Sequence, residues 1–157
     1  MAEENNQAPA SNEPEFAIVR IYVKDVSFET PNSPRIFTQE FKPQLNVQLN
    51  TAVERIEEDL YEVVLNITVT SKQGEKTGFL VEVQQAGLFS IKGFEEAQKG
   101  AMLGAYCPNA LFPFARETIS GLVNKGGFPP LMLAPINFDA MYAESAAEKA
   151  KQAASAE

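Results

Sequence analysis

LYEVVLNITVTSKQGEKTGFLVEV, residues Leu60 to Val83, decides the fold. Tyr61, Val63, Leu65, Ile67 and Val69 alternate with Glu62, Val64, Asn66, Thr68 and Thr70, and beyond them Phe79, Val81 and Val83 alternate with Leu80, Glu82 and Gln84. Successive side chains of a strand point to opposite faces, so this period of two predicts two strands. The intervening SKQGEKTG, with Gly74, predicts the turn of a hairpin.

Upstream, from Phe37 onward, the odd positions Phe37, Phe41, Leu45, Val47 and Leu49 are apolar against polar even positions, which predicts a long one-faced strand. Pro43 cannot donate to a ladder on both sides and favours an edge or a bulge there. TPNSP, with Pro31 and Pro34, reads as a loop. Before it, FAIVRIYVKDVSFE carries apolar residues at Ala17, Val19, Ile21 and Val23 and also at Phe16, Ile18 and Tyr22, the pattern of a strand covered on both faces. The alternation slips near Lys24, after which Asp25, Ser27 and Glu29 share one side and Val26 and Phe28 the other, the mark of a bulge. Four strands in succession predict an antiparallel meander with one buried face.

Downstream the period lengthens. Phe94, Ala97, Ala101, Met102, Ala105 and Tyr106, then Leu111, Phe112, Ala115, Ile119, Leu122 and Val123, recur at helical spacing until Gly126 and Gly127 stop them. Pro113 fits only near a first turn or at a kink. GAMLG, Gly100 to Gly104, has the spacing that lets helices approach closely. GGFPPLMLAPINF, Gly126 to Phe138, fits no regular element because of its three prolines; it reads either as an apolar lip beside a groove or as core filler, and the exposure of Leu131 and Met132 separates the two. Asn137 can cap a last helix bearing Phe138, Met141 and Tyr142, which fades into an Ala/Glu/Lys tail. The expected fold class is α+β: a four-stranded antiparallel sheet, one long helix, kinked or straight, and a C-terminal helix. One domain spans residues 16–150, between disordered tails at 1–15, which is acidic, and 151–157.

Composition restricts the chemistry. The chain has 157 residues, a formal charge of −8, no His and one Cys. A net negative charge disfavours nucleic acid and anionic membranes as partners and favours a basic one. Without His, and with Cys107 alone, there is no imidazole-based triad, no Cys/His zinc site and no intrachain disulfide. Cys107 reads as a small buried hydrophobe. No cofactor, no metal and no membrane-spanning segment is expected; neither a secretory signal nor a disulfide framework is evident, and the expected compartment is the cytoplasm.

No Walker phosphate loop and no dinucleotide fingerprint occurs. Asp25, Glu29 and Glu82 could be an acid/base set, solvated strand faces or a docking patch for a basic partner; catalysis is the least favoured of the three, and the chain is not expected to be an enzyme. Eleven Phe and four Tyr, without Trp, exceed what one strand face needs. They read either as a second core layer or as the walls of a groove for extended apolar peptide, with Met132 and Met141 adapting it to varied partners.

The blocks VRIYVKDVSFETPNSP, LYEVVLNITVT, VEVQQAGLFSI, LGAYCPNALFPFARETIS and FPPLMLAPINFDAMY, in this order from about Phe16 to Tyr142, closely resemble the SecB family of bacterial protein-export chaperones. The resemblance implies an ATP-independent cytosolic chaperone that keeps preproteins unfolded and delivers them to the motor SecA, built as a homotetramer, a dimer of dimers. It places SecA docking on Asp25, Glu29, Leu80 and Glu82. It places the client groove on Phe28, Phe37, Phe41, Leu45, Phe128, Leu131, Met132, Phe138 and Tyr142. Subunit contacts would fall on Val81, Val83 and Gln85 and on the 107–125 helix, including Cys107 and Ile119. Zinc belongs to the motor's basic tail and not to this chain. The alternative is a toxin-antitoxin-linked relative of the family dedicated to one partner.

Overall fold

The computed structural model describes residues 13–156, so most of the acidic N-terminal tail and Glu157 lie outside it. Strands β1 (Glu15–Glu29), β2 (Gln44–Glu57), β3 (Leu60–Gln73) and β4 (Lys76–Lys92) form one antiparallel sheet in the order β1-β4-β3-β2. The central hairpin is the expected one: Ile67 faces Val83 and Val69 faces Val81, and Gly74 closes the turn at φ 65°.

The order corrects the simple meander. Strands β2, β3 and β4 follow one another, but β1 crosses over to pair with β4, a Greek-key arrangement. The segment between β1 and β2 is too long and too proline-rich for a hairpin. It carries a short 3-10 turn (Arg35–Thr38) that buries Ile36, and Asn32 Nδ2 ties it to the carbonyl of Thr77 at 2.8 Å. Phe37 and Phe41 therefore belong to this crossover and not to a strand, and β2 starts just after Pro43. Nor is β1 covered on both faces: Ile18, Val19, Val23 and Val26 are exposed. It is an edge strand, and the long helix lies over β3 and β4 instead.

That helix has three parts that run on without a break: α1 (Glu96–Ala101), a π-helical turn (Met102–Tyr106) and α2 (Cys107–Lys125). A capping box between Glu95 and Gln98 starts it. The π turn, in which the Cys107 amide reaches back to the carbonyl of Met102, immediately precedes Pro108. Proline lacks an amide and crowds the carbonyl four residues back, so a widened turn there relieves both problems. Pro113 sits inside α2. At the end, Gly127 adopts φ 90°, the Phe128 amide reaches the Val123 carbonyl at 3.2 Å and the Gly127 amide reaches Asn124 at 3.1 Å. This is the glycine-dependent helix stop expected of Gly126-Gly127.

Helix α3 (Phe138–Ser155) is capped by Asn137, whose side chain accepts from the Ala140 amide at 3.0 Å. It continues beyond residue 150, where the sequence reading began a disordered tail; Ala, Lys and Gln are good helix formers and no Gly or Pro interrupts them. The core lies between the β3/β4 face bearing Val63, Leu65, Ile67, Val81 and Val83 and the α2 side chains Leu111, Ala115, Ile119 and Val123. Where α3 crosses the long helix, the ring of Tyr142 lies where a Cβ on Gly104 would stand and its hydroxyl lies 2.9 Å from where one on Gly100 would stand, so GAMLG does serve close helix packing.

Candidate functional site

Two surfaces of opposite character lie on the two sides of the sheet. On the face away from the helices, β1 and β4 bring the expected docking residues together: Glu29 stands opposite Leu80, Ser27 opposite Glu82 and Asp25 opposite Gln84. Asp25, Glu29 and Glu82 are exposed and Leu80 is half-buried among them. Three carboxylates around one apolar side chain make a surface suited to a basic, partly apolar segment.

Next to it lies a cluster the sequence reading missed. Lys24 donates to Glu62 Oε1 at 2.8 Å, and the Tyr22 hydroxyl donates to Glu62 Oε2. The hydrogen bonds from Lys24 and Tyr22 hold the Glu62 carboxyl below its ordinary value of 4.5, and the same Lys24 contact raises the ammonium's own pKa. Burial, reinforced by Glu62, pushes the Tyr22 phenol up to about 12. The strand period had placed Glu62 on the outward face, but nothing local in the sequence pairs it with a residue 38 positions away.

A depressed carboxyl pKa contributes stability that is present above the unfolded value and lost as pH falls through the folded one. Between about pH 5 and pH 3, Glu62→Gln should therefore lose less of its unfolding free energy than wild type, as read from urea midpoints at both pH values. An equal loss in the two proteins would show that Glu62 contributes nothing to the acid limb.

On the helix side, Phe128 is buried at the centre of an aromatic cluster, with ring centroids 5.1 Å from Phe79, 5.2 Å from Phe37 and 6.2 Å from Phe41; Phe28 stacks on Phe79 at 6.1 Å. The close approach is possible because Gly126 and Gly127 present no side chain to the rings of Phe28 and Phe37. Phe37, Phe41 and Leu45 are exposed and Phe28 is half-buried, so these four offer apolar surface. Phe128 is floor and not wall. The proline segment divides in the same way: Leu131 packs on the core, whereas Met132 is 69% exposed.

Phe138 and Tyr142 belong to a second surface. Between β2 and α3 an open cleft of about 470 Å³ is lined by Leu49, Val53, Leu103, Phe138, Met141 and Tyr142, with Lys149 at its polar side. Phe138 is buried, 4% exposed, and edges onto Phe112 at 5.9 Å, so it too is core. The sequence places Leu49 on the apolar face of the strand but gives neither it nor Val53 a part in a surface site; one helix cannot cover four strands, and that shortfall was the available signal.

The five residues expected at subunit contacts are corrected. Val81, Val83, Gln85, Cys107 and Ile119 are all between 0% and 2% exposed within the single chain, so they are core and present no contact surface. Gln85 has an internal task, donating from Nε2 to the carbonyl of Tyr22 at 3.1 Å. Burial pushes the Cys107 thiol up to about 12, which leaves no thiolate at neutral pH. Among the described residues no three Cys, Asp or Glu side chains gather to hold a metal, and no helix is long and apolar enough to cross a membrane.

Comparison with known proteins agrees with this architecture. The family model described as preprotein translocase subunit SecB matches residues 9–149. The protein-export protein SecB of Marinobacter nauticus is 57% identical over 154 residues, covering 96% of this chain and 93% of that protein. That of Nitrosococcus oceani is also 57% identical, covering 92% and 91%. Among solved structures, a SecB-like chaperone of Mycobacterium tuberculosis in complex with a ChAD peptide from the HigA1 antitoxin superposes with a TM-score of 0.65 at 18% identity, covering 77% of this chain and 90% of that one. A four-stranded sheet backed by a long helix, with an acidic outer face and an aromatic inner rim, thus accompanies a family match across nearly the whole chain: the protein belongs to the SecB family of protein-export chaperones.

Proposed function

We propose that the chain is an ATP-independent holding chaperone of the cytoplasm, which binds unfolded preproteins on its apolar surfaces and hands them to SecA through its acidic sheet face. The observation that carries this reading is the apolar surface left open on both sides of the long helix. Phe37, Phe41, Leu45, Val47 and Val53 are exposed on one side, and Ile18, Val23 and Val26 on the other. Patches of this extent are unusual on a monomer and favour binding partners.

The two sides suit different partners. The crossover aromatics and Met132 form an irregular wall of adaptable side chains, which fits unfolded segments of varied sequence. Strand β1 has a free edge and a regular apolar row, which fits a second copy of the chain and supports the homotetramer, a dimer of dimers. Repetition of weak apolar sites on several subunits would retain a long chain through avidity while each contact stays reversible. The formal charge of −8 and the Asp25, Glu29 and Glu82 surface support delivery to a basic region of SecA.

The test is a refolding experiment without nucleotide. A slow-folding preprotein diluted from denaturant into equimolar chaperone assembly should fold several-fold more slowly than alone, and addition of SecA should relieve the block. Folding at an unchanged rate would overturn the chaperone reading.

A further inference from the structure

Strand β1 slips against β4 twice, at Val19 and at Lys24, and the second slip sets where its acidic end points. Tyr22 pairs with Ala86 and Val23 with Gln85, but Asp25 pairs with Gln84, so Lys24 is the extra residue of a bulge. Were Lys24 accommodated regularly, Asp25, Ser27 and Glu29 would share the helix-side face with Val23, and Val26 and Phe28 would turn outward. The bulge is therefore what aims Asp25 and Glu29 at the outer face while Phe28 reaches the aromatic cluster.

An extra residue takes backbone groups off the ladder and needs other partners. One is supplied on the helix side, and side-chain bonds hold the residue on the outer side. On the helix side the buried amide of Gln85 donates to the Tyr22 carbonyl at 3.1 Å. On the outer side Lys24 and Tyr22 donate to the two oxygens of Glu62, which lies on β3, beyond β4. The edge strand is thus tied across its neighbour to an interior strand. The Glu62 side chain is only 12% exposed, so removing its cation would leave a carboxylate largely out of water with a single donor.

We infer that Lys24 and Glu62 clamp the β1 bulge and so act as positioning residues for the acidic docking face. The inference rests on the proposed docking role of Asp25, Glu29, Leu80 and Glu82. Charge alone gives the opposite expectation. Lys24 is a cation bordering an acidic surface, so its removal would tighten a basic partner if only the net field mattered; the clamp requires that its removal weaken binding.

The experiment measures SecA affinity by calorimetry at low salt for the full chain and for Lys24→Met, Lys24→Arg and Asp25→Lys, with amide exchange followed through β1. Lys24→Met should bind SecA roughly fivefold more weakly and speed exchange at Val26 and Ser27. Lys24→Arg, which keeps the donor, should restore both, whereas a merely structural loss would lower the melting temperature without this selective pattern. If Lys24→Met binds SecA as well as or better than wild type while Asp25→Lys binds worse, the clamp is overturned and the docking face stands. If Asp25→Lys binds normally, the docking face fails; the clamp is then decided by exchange in Lys24→Met, and unchanged protection at Val26 and Ser27 overturns it.

Discussion

Phe128→Ala is expected to lower the unfolding free energy by about 3–5 kcal/mol, a large share of what a domain of this size possesses. The ring is 4% exposed and touches three others, those of Phe37, Phe41 and Phe79. Two of those partners belong to the crossover, which has no ladder of its own and is held by this ring together with buried Ile36 and the Asn32 bond to Thr77. The cavity would open beside Gly126 and Gly127, which have no side chain of their own to fill it. Phe41→Ala should behave differently. Its ring is 42% exposed, so the stability cost should stay below about 1.5 kcal/mol, while the retention of unfolded client should fall. Urea titration with a refolding assay separates the two effects. If Phe128→Ala shifts the urea midpoint no more than Phe41→Ala does, Phe128 is not the anchor of the segment.

The contrast between these two phenylalanines also shows how far the sequence could be read. Both stood among the groove candidates, because apolar identity is visible in a sequence while depth is not. Depth was legible only where a period enforced it. The alternation from Tyr61 to Val69 and from Phe79 to Val83 gave the central hairpin and its buried face, and the slip at Lys24 gave the bulge. In the crossover there is no period, so Phe37 and Phe41 were drawn into a strand that begins only at Gln44.

The residues expected to dock came together because strand parity carries over the ladder once two strands are neighbours. The subunit-contact residues failed for the same reason. Val81, Val83 and Gln85 have the odd parity of the helix-covered face, and that parity was already readable. What parity could not reveal was the β1-β4 pairing itself, or the link from Lys24 to Glu62 across it, since both depend on the path of a long connection. The helix at the C-terminus was underestimated because weak amphipathicity with strong helix propensity reads equally well as tail.

The second large effect is expected at Gly104. A Cβ there would stand 2.3 Å and 2.6 Å from two carbons of the Tyr142 ring, a separation that requires movement. The ring cannot simply retreat, because Phe138, one turn earlier on α3, is buried against Phe112 and fixes the helix entry. Gly104→Ala should therefore unseat α3 and destabilise the chain by about 1–3 kcal/mol, with fast amide exchange along α3 and new proteolytic sensitivity near Asn137. Gly100→Ala makes a narrower conflict, since only the Tyr142 hydroxyl lies near its Cβ, at 2.9 Å. Tyr142→Phe should therefore rescue Gly100→Ala and leave Gly104→Ala unrepaired, whereas Tyr142→Ala should relieve the clash at both while forfeiting the ring's own packing. Measured as a double-mutant cycle, the coupling between residues 100 and 142 should be favourable, about 1 kcal/mol, and vanish when the hydroxyl is absent from both arms. The cleft between β2 and α3 would widen in Gly104→Ala, because Gly100, Leu103, Gly104 and Tyr142 all line it. If α3 keeps its protection in Gly104→Ala, the helix is held by Phe138 alone, and the paired glycines are not what lets it pack against the π turn.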